Sequence, residues 1–353
     1  MIRGTVLAGT NNQFEVERAD GTVLLCSIKG KILRESEGYY NPLAPGDLVE
    51  IAPDEHDSAR GQILSLVPRK NHFVRWNQKG KAPQLLASNL DLLVIVSTPA
   101  EPPFRPRFVD RALIQSEAEH IEPLILMNKC DLEFDADTEE RLADWERLGY
   151  TVLRASAKTG EGLDALVRRL SGKLSAFVGQ SGVGKSSLLN ALDSGLSLRT
   201  SGLSEKYCRG THTTTRGMLY HLPFGSVPAA DAAPESGAPE SGASDAVAPG
   251  AAAPESAASD AVAPGAGLPD ASIIDTPGVR RFVLHDIPAK DLALYFREME
   301  PLVGTCSWGL SCSHEHEPGC KILEAVYAGV IHEQRYESWQ RIREEIETGS
   351  WAD

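Results

Sequence analysis

The sequence has no run of about 18 apolar residues that would span a bilayer, and its first residues, Met-Ile-Arg-Gly-Thr, lack the basic region and apolar stretch of a signal peptide. Both absences lead to the expectation of a cytoplasmic protein with no membrane partner. Basic charge is also short: 35 Lys and Arg stand against 49 Asp and Glu, a net charge of −14. That balance argues against broad nucleic-acid binding, because neutralising phosphate takes Lys and Arg. Seven of the acids, Asp231, Glu235, Glu240, Asp245, Glu255, Asp260 and Asp270, lie within residues 225–270, where no base occurs, which leaves −7 on the rest. Any RNA contact must then come from local patches. Cysteine is sparse, six in 353 residues, yet Cys306, Cys312 and Cys320 fall close together with His314 and His316 among them. In a reducing compartment such a cluster points to metal rather than disulfides.

What is present is enough for two or three domains, since 353 residues with 42% hydrophobic content can bury a sizeable core. Residues 1–68 contain about five β-rich segments, at 4–7, 13–17, 22–28, 45–51 and 61–67, punctuated by Gly and Pro. So many strands in so short a length suggest a small barrel, with the oligonucleotide-binding (OB) fold as the five-stranded default and an SH3-like barrel as the alternative. From 69 to 284 apolar runs end in polar loops, at 92–97, 123–127, 151–155, 174–178 and 271–274, and helical patterns follow several of them, for example at 109–119 and 185–192. That alternation predicts a doubly wound α/β domain with ligands at the carboxyl ends of its strands. Residues 285–353 carry helical patterns at 290–300, 321–331 and 333–347, with Ile322, Val326 and Val330, then Trp339, Ile342 and Ile346, at core spacing.

Residues 225–270 are almost entirely Ala, Pro, Gly, Ser, Asp and Glu, and the string ASDAVAPGA occurs at 243–251 and again at 258–266. Such a segment buries too little surface to offset its ordering entropy, so a disordered insertion between two adjacent strands is expected. Loop-closure cost grows only logarithmically with length, and the fold tolerates it.

Four motifs carry the chemistry. Gly179-Gln180-Ser181-Gly182-Val183-Gly184-Lys185-Ser186-Ser187 follows an apolar strand and opens a helix. Its glycines let backbone N–H groups turn inward around phosphates, Lys185 reaches the β and γ phosphates, and Ser186 coordinates Mg²⁺. Asp275-Thr-Pro-Gly278 also ends a strand. There Asp275 holds Mg²⁺ through water and the Gly278 amide meets the γ-phosphate. Asn128-Lys129-Cys-Asp131 places a carboxylate where guanine presents two N–H donors and adenine does not, with Asn128 supporting the purine edge and Lys129 laying its stem by the ring. Ser156-Ala157-Lys158 offers the Ala157 amide to guanine O6.

Every element of a GTP site is therefore present, but the base clamp precedes the phosphate loop. Cutting a sheet domain between strands and rejoining it elsewhere keeps the site while changing this order. Between phosphate loop and Asp275 lies Arg-Gly-Thr-His212-Thr213-Thr214-Thr215, where one threonine, Thr214 for choice, completes the Mg²⁺ shell. The residue after Gly278 is Val279 rather than a water-positioning glutamine, so His212 becomes the candidate to orient the attacking water, beside Lys185 as the second catalytic residue. Cys306, Cys312, His314 and Cys320 make a complete tetrahedral Zn²⁺ set with no open position, hence structural, and His316 is an alternative to His314.

With this motif order, the flanking barrel and the cysteine cluster, the chain resembles the circularly permuted, small-ribosomal-subunit-dependent GTPases of the RsgA (YjeQ) family. Pro68-Arg-Lys-Asn, Gly210-Thr-His-Thr-Thr-Thr215 and Cys312-x-His-x-x-Glu-Pro-Gly-Cys320 join the four motifs in carrying the likeness, which covers all but residues 225–270. The resemblance implies an α/β P-loop GTPase domain between an N-terminal OB barrel and a C-terminal, mainly helical zinc domain. It also implies a factor in late maturation of the small ribosomal subunit that binds rRNA, hydrolyses GTP to GDP on stimulation by the subunit, and works as a monomer. From the residues alone a guanine-nucleotide-gated scaffold for another RNA or protein stays open, since an OB barrel is not specific to the ribosome. A P-loop kinase or ATPase is excluded by Asp131, provided that ATP does not compete.

Overall fold

The computed structural model describes residues 2–10, 12–30, 38–77, 80–193, 217–224, 270–278, 284 and 287–349. His212, Thr213, Thr214 and Thr215 lie outside the described residues, as does all but the last residue of the acidic insertion. The first five strands are β1 (Ile2–Thr10), β2 (Gln13–Arg18), β3 (Val23–Ile28), β4 (Leu48–Pro53) and β5 (Arg60–Leu66). They close into a barrel in the order β1-β2-β3-β5-β4, with β3 and β5 parallel and the other pairs antiparallel. This is the OB arrangement. Period-two alternation explains the closure: β3 buries every second residue, and Val6, Phe14, Val16, Leu24, Val49, Ile51 and Ile63 fill the interior. Register shifts at Val6/Ala8 and Glu50/Ile51 supply the bends that a barrel needs.

An antiparallel hairpin, β6 (His72–Asn77) and β7 (Ala82–Ser88), stands between barrel and sheet domain. It fills residues that the sequence pattern assigns to the start of the α/β domain after Pro68. Its Phe73 belongs to the core of the sheet domain, so the hairpin is a joint between the two.

Five parallel strands, β8 (Leu92–Ser97), β9 (Glu122–Met127), β10 (Thr151–Arg154), β11 (Leu174–Gly179) and β13 (Ala271–Asp275), and the antiparallel edge strand β12 (Met218–Leu222) form one sheet in the order β10-β9-β8-β11-β13-β12. β8 is buried along its whole length, as a central parallel strand covered on both faces must be. Helices α1 (Pro106–Ala118) and α2 (Ala136–Arg147) cover one face, where Val109, Leu113, Leu142 and Trp145 pack. On the other face lie α3 (Leu163–Leu170) and α4 (Lys185–Leu192), through Leu166, Leu170, Leu188 and Leu189.

The C-terminal region has α5 (Lys321–Tyr327), α6 (Glu333–Thr348) and short 3₁₀ turns. The helix expected over 290–300 is a 3₁₀ turn, Ala289–Tyr295, that gives way to extended backbone at Phe296, whose ring is buried beneath the Arg335 guanidinium. A second short turn, Glu300–Leu302, then follows with Pro301 at its second position. Val330, expected in the core, is 55% exposed because α5 has already ended at Tyr327 and Gly329 turns the chain at φ +71°.

The two flanks dock on different elements. On α1, the buried carboxylate of Asp110 accepts from Arg141 of α2 at 2.8 and 2.9 Å, from Arg335 of α6 at 2.7 Å and from the Trp145 indole at 3.1 Å. Glu298 takes the rest of the Arg335 guanidinium at 2.5 and 3.0 Å. Facing the barrel, the backbone carbonyl of Gly46 accepts from Asn89 at 2.8 Å, and Ser88 N–H donates to the Pro45 carbonyl at 3.1 Å. A Cβ on Gly46 would lie 2.3 Å from the Ser88 carbonyl oxygen, so only glycine permits this approach. His221 of β12 meets Glu17 of the barrel at 2.7 Å and Ser272 of β13 at 3.0 Å.

Candidate nucleotide site and metal centre

Because β8, β9, β10, β11 and β13 run the same way, their carboxyl ends share one edge of the sheet. The Ser156 loop after β10, the Asn128 loop after β9, the phosphate loop after β11 and the Asp275 segment at the end of β13 therefore line up, although they are scattered along the chain.

The phosphate loop turns where its glycines allow it. Gly182 and Gly184 have φ of +88° and +90°, and a Cβ on Gly179 would meet the Val96 carbonyl oxygen at 2.6 Å. Lys185, at the start of α4, is buried and donates to the carbonyls of Gly179 at 2.9 Å and Gln180 at 3.2 Å. Burial lowers its pKa to about 8, with the Asp275 carboxylate pulling the other way. Ser186 and Ser187 follow in the first turn of the helix.

Asn128 is the joint between the two halves of the site. It is 1% exposed; its amide donates to the Val183 carbonyl at 2.8 Å, and its oxygen accepts from the Ala157 N–H at 3.2 Å. Base loop, phosphate loop and Ser-Ala-Lys loop are thus tied through one side chain. Asp131 accepts from the Ser156 hydroxyl at 2.7 Å and lies 3.6 Å from the Lys158 ammonium. The Ser156 hydroxyl above all holds the Asp131 carboxyl below its ordinary pKa, so this position offers a charged acceptor. Ser156 Oγ also accepts from the N–H groups of Lys158 and Thr159 at 3.3 and 3.2 Å, which fixes the turn around Ala157. The ammonium of Lys129 donates to the Glu101 carbonyl.

Asp275 is 3% exposed and pairs with Phe177 across β11 and β13. The next residue, Thr276, was not singled out from the sequence; it is buried and donates its hydroxyl to the Phe177 carbonyl at 2.7 Å, locking the start of the segment. Gly278 lies over the phosphate loop, where a Cβ would sit 3.3 Å from the Ser181 nitrogen.

The cysteine cluster closes as its composition suggests. The donor atoms of Cys306, Cys312, His314 and Cys320 all lie within 4.8 Å of one another, and all four residues are buried. His314 Nδ1 is 3.6 Å from Cys306 Sγ and 3.4 Å from Cys320 Sγ, and the two sulfurs are 3.9 Å apart. With metal bonds of about 2.3 Å to sulfur and about 2.0 Å to nitrogen, a tetrahedral Zn²⁺ site would have edges of this length, so the set fits such an ion. Burial lowers the His314 pKa, which favours the neutral ring a metal needs. The side chain of His316 is 84% exposed, so among the two histidines His314 is the ligand that fits. Backbone N–H of Lys321 points at Cys306 Sγ at 3.3 Å, and the Tyr336 hydroxyl donates to the His314 carbonyl at 2.6 Å. Glu317 accepts from the N–H groups of Ser313, Glu315 and His316 at 2.7, 3.1 and 3.2 Å, shaping the ligand loop from inside.

The sequence matches the RsgA GTPase family over residues 66–231. It is 34% identical over 344 residues to the small ribosomal subunit biogenesis GTPase RsgA of Gemmatimonas aurantiaca, with 97% of each chain covered. The protein of the same name from Chlorobaculum parvum is 32% identical over 353 residues, with 98% of each chain covered. Among solved structures, YjeQ from Thermotoga maritima superposes with a TM-score of 0.64 at 29% identity over 98% of both chains. YloQ, a circularly permuted GTPase, shares the fold with a TM-score of 0.61 at 23% identity, covering 100% of this chain and 97% of its own.

Proposed function

Since the chain belongs to the RsgA GTPase family of GTP-hydrolysing enzymes, we propose that it acts in biogenesis of the small ribosomal subunit, binding rRNA and releasing itself by subunit-stimulated hydrolysis of GTP. In this reading residues 1–68 and 285–353 grip the subunit and residues 69–284 carry the nucleotide. The observation that carries the nucleotide part is the three-way attachment of Asn128, which sets a guanine clamp against a phosphate loop. Asp131 accepts from the base, and a nucleobase without those donors would leave its carboxylate unpaired. Lys185 turns from the Gly179 and Gln180 carbonyls to the β and γ phosphates, and its charge offsets theirs. Ser186, in the first turn of α4, and Asp275, a buried carboxylate at the end of β13, fit a Mg²⁺ ion, which when bound would neutralise charge on the transferred phosphoryl group. Gly278 offers its amide to the γ-phosphate. His212 orients the water, and one of Thr213, Thr214 and Thr215, Thr214 for choice, supplies the remaining hydroxyl to the magnesium shell. The Cys306, Cys312, His314 and Cys320 set fits a Zn²⁺ ion with no open position, so that its part is to hold the C-terminal region in shape.

Steady-state phosphate release from GTP and from ATP, with purified small subunits, large subunits or neither, tests this reading. Turnover of GTP alone, raised strongly by small subunits, is expected. Slow GTP turnover indifferent to subunits would replace it with a guanine-nucleotide switch for another partner.

A further inference from the structure

Along the carboxyl edge the order β10-β9-β8-β11-β13 gives each strand but β8 a loop with a duty at the nucleotide. Residues 98–104, which follow β8, leave the sheet between the base clamp and the phosphate loop. A guanosine nucleotide held at both ends must carry its sugar across that interval. One contact shapes this loop and two bind it into the site. Its Glu101 carbonyl accepts from the Lys129 ammonium. Thr98, 1% exposed, donates its hydroxyl to the Pro102 carbonyl at 2.9 Å. Pro102 Cδ lies 3.6 Å from where a Cβ on Gly182 would be, in contact distance of the phosphate-loop turn. Lys129 and Glu101 both hold left-handed backbone, at φ +63° and +54°, which residues with side chains keep only where neighbours fix them.

Resting on the GTPase reading, we infer that residues 98–104 are a positioning element of the guanosine site, with Thr98 as the residue that sets it. The chain of contacts runs from the Thr98 hydroxyl to the Pro102 carbonyl, through the adjoining peptide to the Glu101 carbonyl, and from there to the Lys129 ammonium. An ammonium at the end of a four-carbon stem swings into water unless an acceptor holds it. Here the held end stretches the stem along the path of the nucleoside, and Pro102 braces the turn that receives the phosphates. Loosening Thr98 therefore frees Lys129 without touching Asp131, whose partner is Ser156 on the other side.

The test is the rate at which tritiated GDP leaves the full-length protein. Thr98→Val, nearly the same shape, is expected to speed release by about three- to tenfold, the factor that one lost hydrogen bond is worth. Thr98→Ser, which keeps the hydroxyl, should release GDP at the wild-type rate, and Pro102→Gly should match Thr98→Val. The ratio of GDP to IDP affinity should stay at its wild-type value in Thr98→Val, because the Asp131 clamp is intact. Wild-type release from Thr98→Val, or equal acceleration in Thr98→Ser, would overturn the inference and leave the GTPase reading standing. Failure of the wild type to hold GDP would overturn both.

Discussion

At the junction with the C-terminal region, Asp110, Arg141, Arg335 and Glu298 bring four charges together with side chains no more than 3% exposed. At the junction with the barrel, Gly46 and Ser88 approach main chain to main chain, the Asn89 side-chain amide donates to the Gly46 carbonyl, Arg69 at the barrel exit pairs with buried Asp47, and the contact of His221 with Glu17 has side chains 50% and 23% exposed. A buried network is satisfied in one geometry and costs heavily when broken, whereas backbone approach and an exposed pair cost less to shift. The first junction lies on α1 and α2, the helices following β8 and β9 on the base-clamp side of the sheet. The second lies against β12 and β13, where Gly217 meets Pro45 and β13 ends in Asp275. In chain order the Asp275 segment leads toward the C-terminal region, and in the fold the barrel also packs beside it, where Pro45 and Asp275 both flank Gly217.

The contrast can be broken most severely at the Cys306, Cys312, His314 and Cys320 set. Where it holds Zn²⁺, chelation strips the ion and Cys312→Ser removes one of its ligands, at a kind of site that contributes on the order of 10 kcal/mol in small zinc domains. Amide exchange should show the C-terminal region losing protection while β8, β9 and β11 keep theirs, since the three ligand cysteines share a core with Trp339 and Ile342. Next, Arg335→Met leaves Asp110 and Glu298 short of a partner and should cost about 3–5 kcal/mol in urea unfolding. Replacing Asp110 and Glu298 as well by apolar residues should recover part of that. Gly46→Ala puts a Cβ 2.3 Å from the Ser88 oxygen at a φ of +91°, for a loss of about 2 kcal/mol in thermal unfolding. A titration asks which flank follows the nucleotide. Lys185 has its pKa lowered to about 8 without nucleotide, and binding phosphate requires the charged form. GDP affinity should therefore be flat below pH 8 and fall above it, by up to about tenfold per unit, with Lys185→Arg moving the break out of range. If the barrel follows the site, exchange at β12 and at Gly46 should change with GDP occupancy and exchange at α6 should not. The smallest effect belongs to His221→Ala, at most about 1 kcal/mol for a half-exposed pair.

Period-two alternation made the barrel legible, apolar runs ending in polar loops made the parallel strands legible, and the phosphate loop and base clamp announced themselves by spacing. The hairpin at residues 72–88 was hidden because Phe73, Val74, Leu85 and Leu86 serve two cores at once, so that neither alternation nor a buried run is clean. The 3₁₀ turn at Ala289–Tyr295 carries apolar residues at helical intervals, and only the burial of Phe296 under Arg335 decides against continuation. Asp110, Arg141 and Arg335 read as ordinary charges on helix surfaces, because their partners are up to 225 residues away. The ligand histidine could not be chosen from Cys312-x-His314-x-His316 by spacing; burial of one ring and exposure of the other chooses it.

The distance between Asp110 and its last partner has a meaning in the time order of synthesis. At about 5–20 residues per second, Arg335 leaves the ribosome some ten to forty-five seconds after Asp110, and Arg141 follows Asp110 within a few seconds. The α1 and α2 pair can therefore close early around one arginine, with the second socket of the carboxylate left waiting. Asn128 waits in the same way for Val183, the carbonyl 55 residues on. A nascent chain thus owns a base clamp before it owns a phosphate loop, and holds both before the last helix seals α1. The contacts of Asn128 and of Asp110 are therefore completed in that order, the clamp-to-loop contact first and the helix seal last.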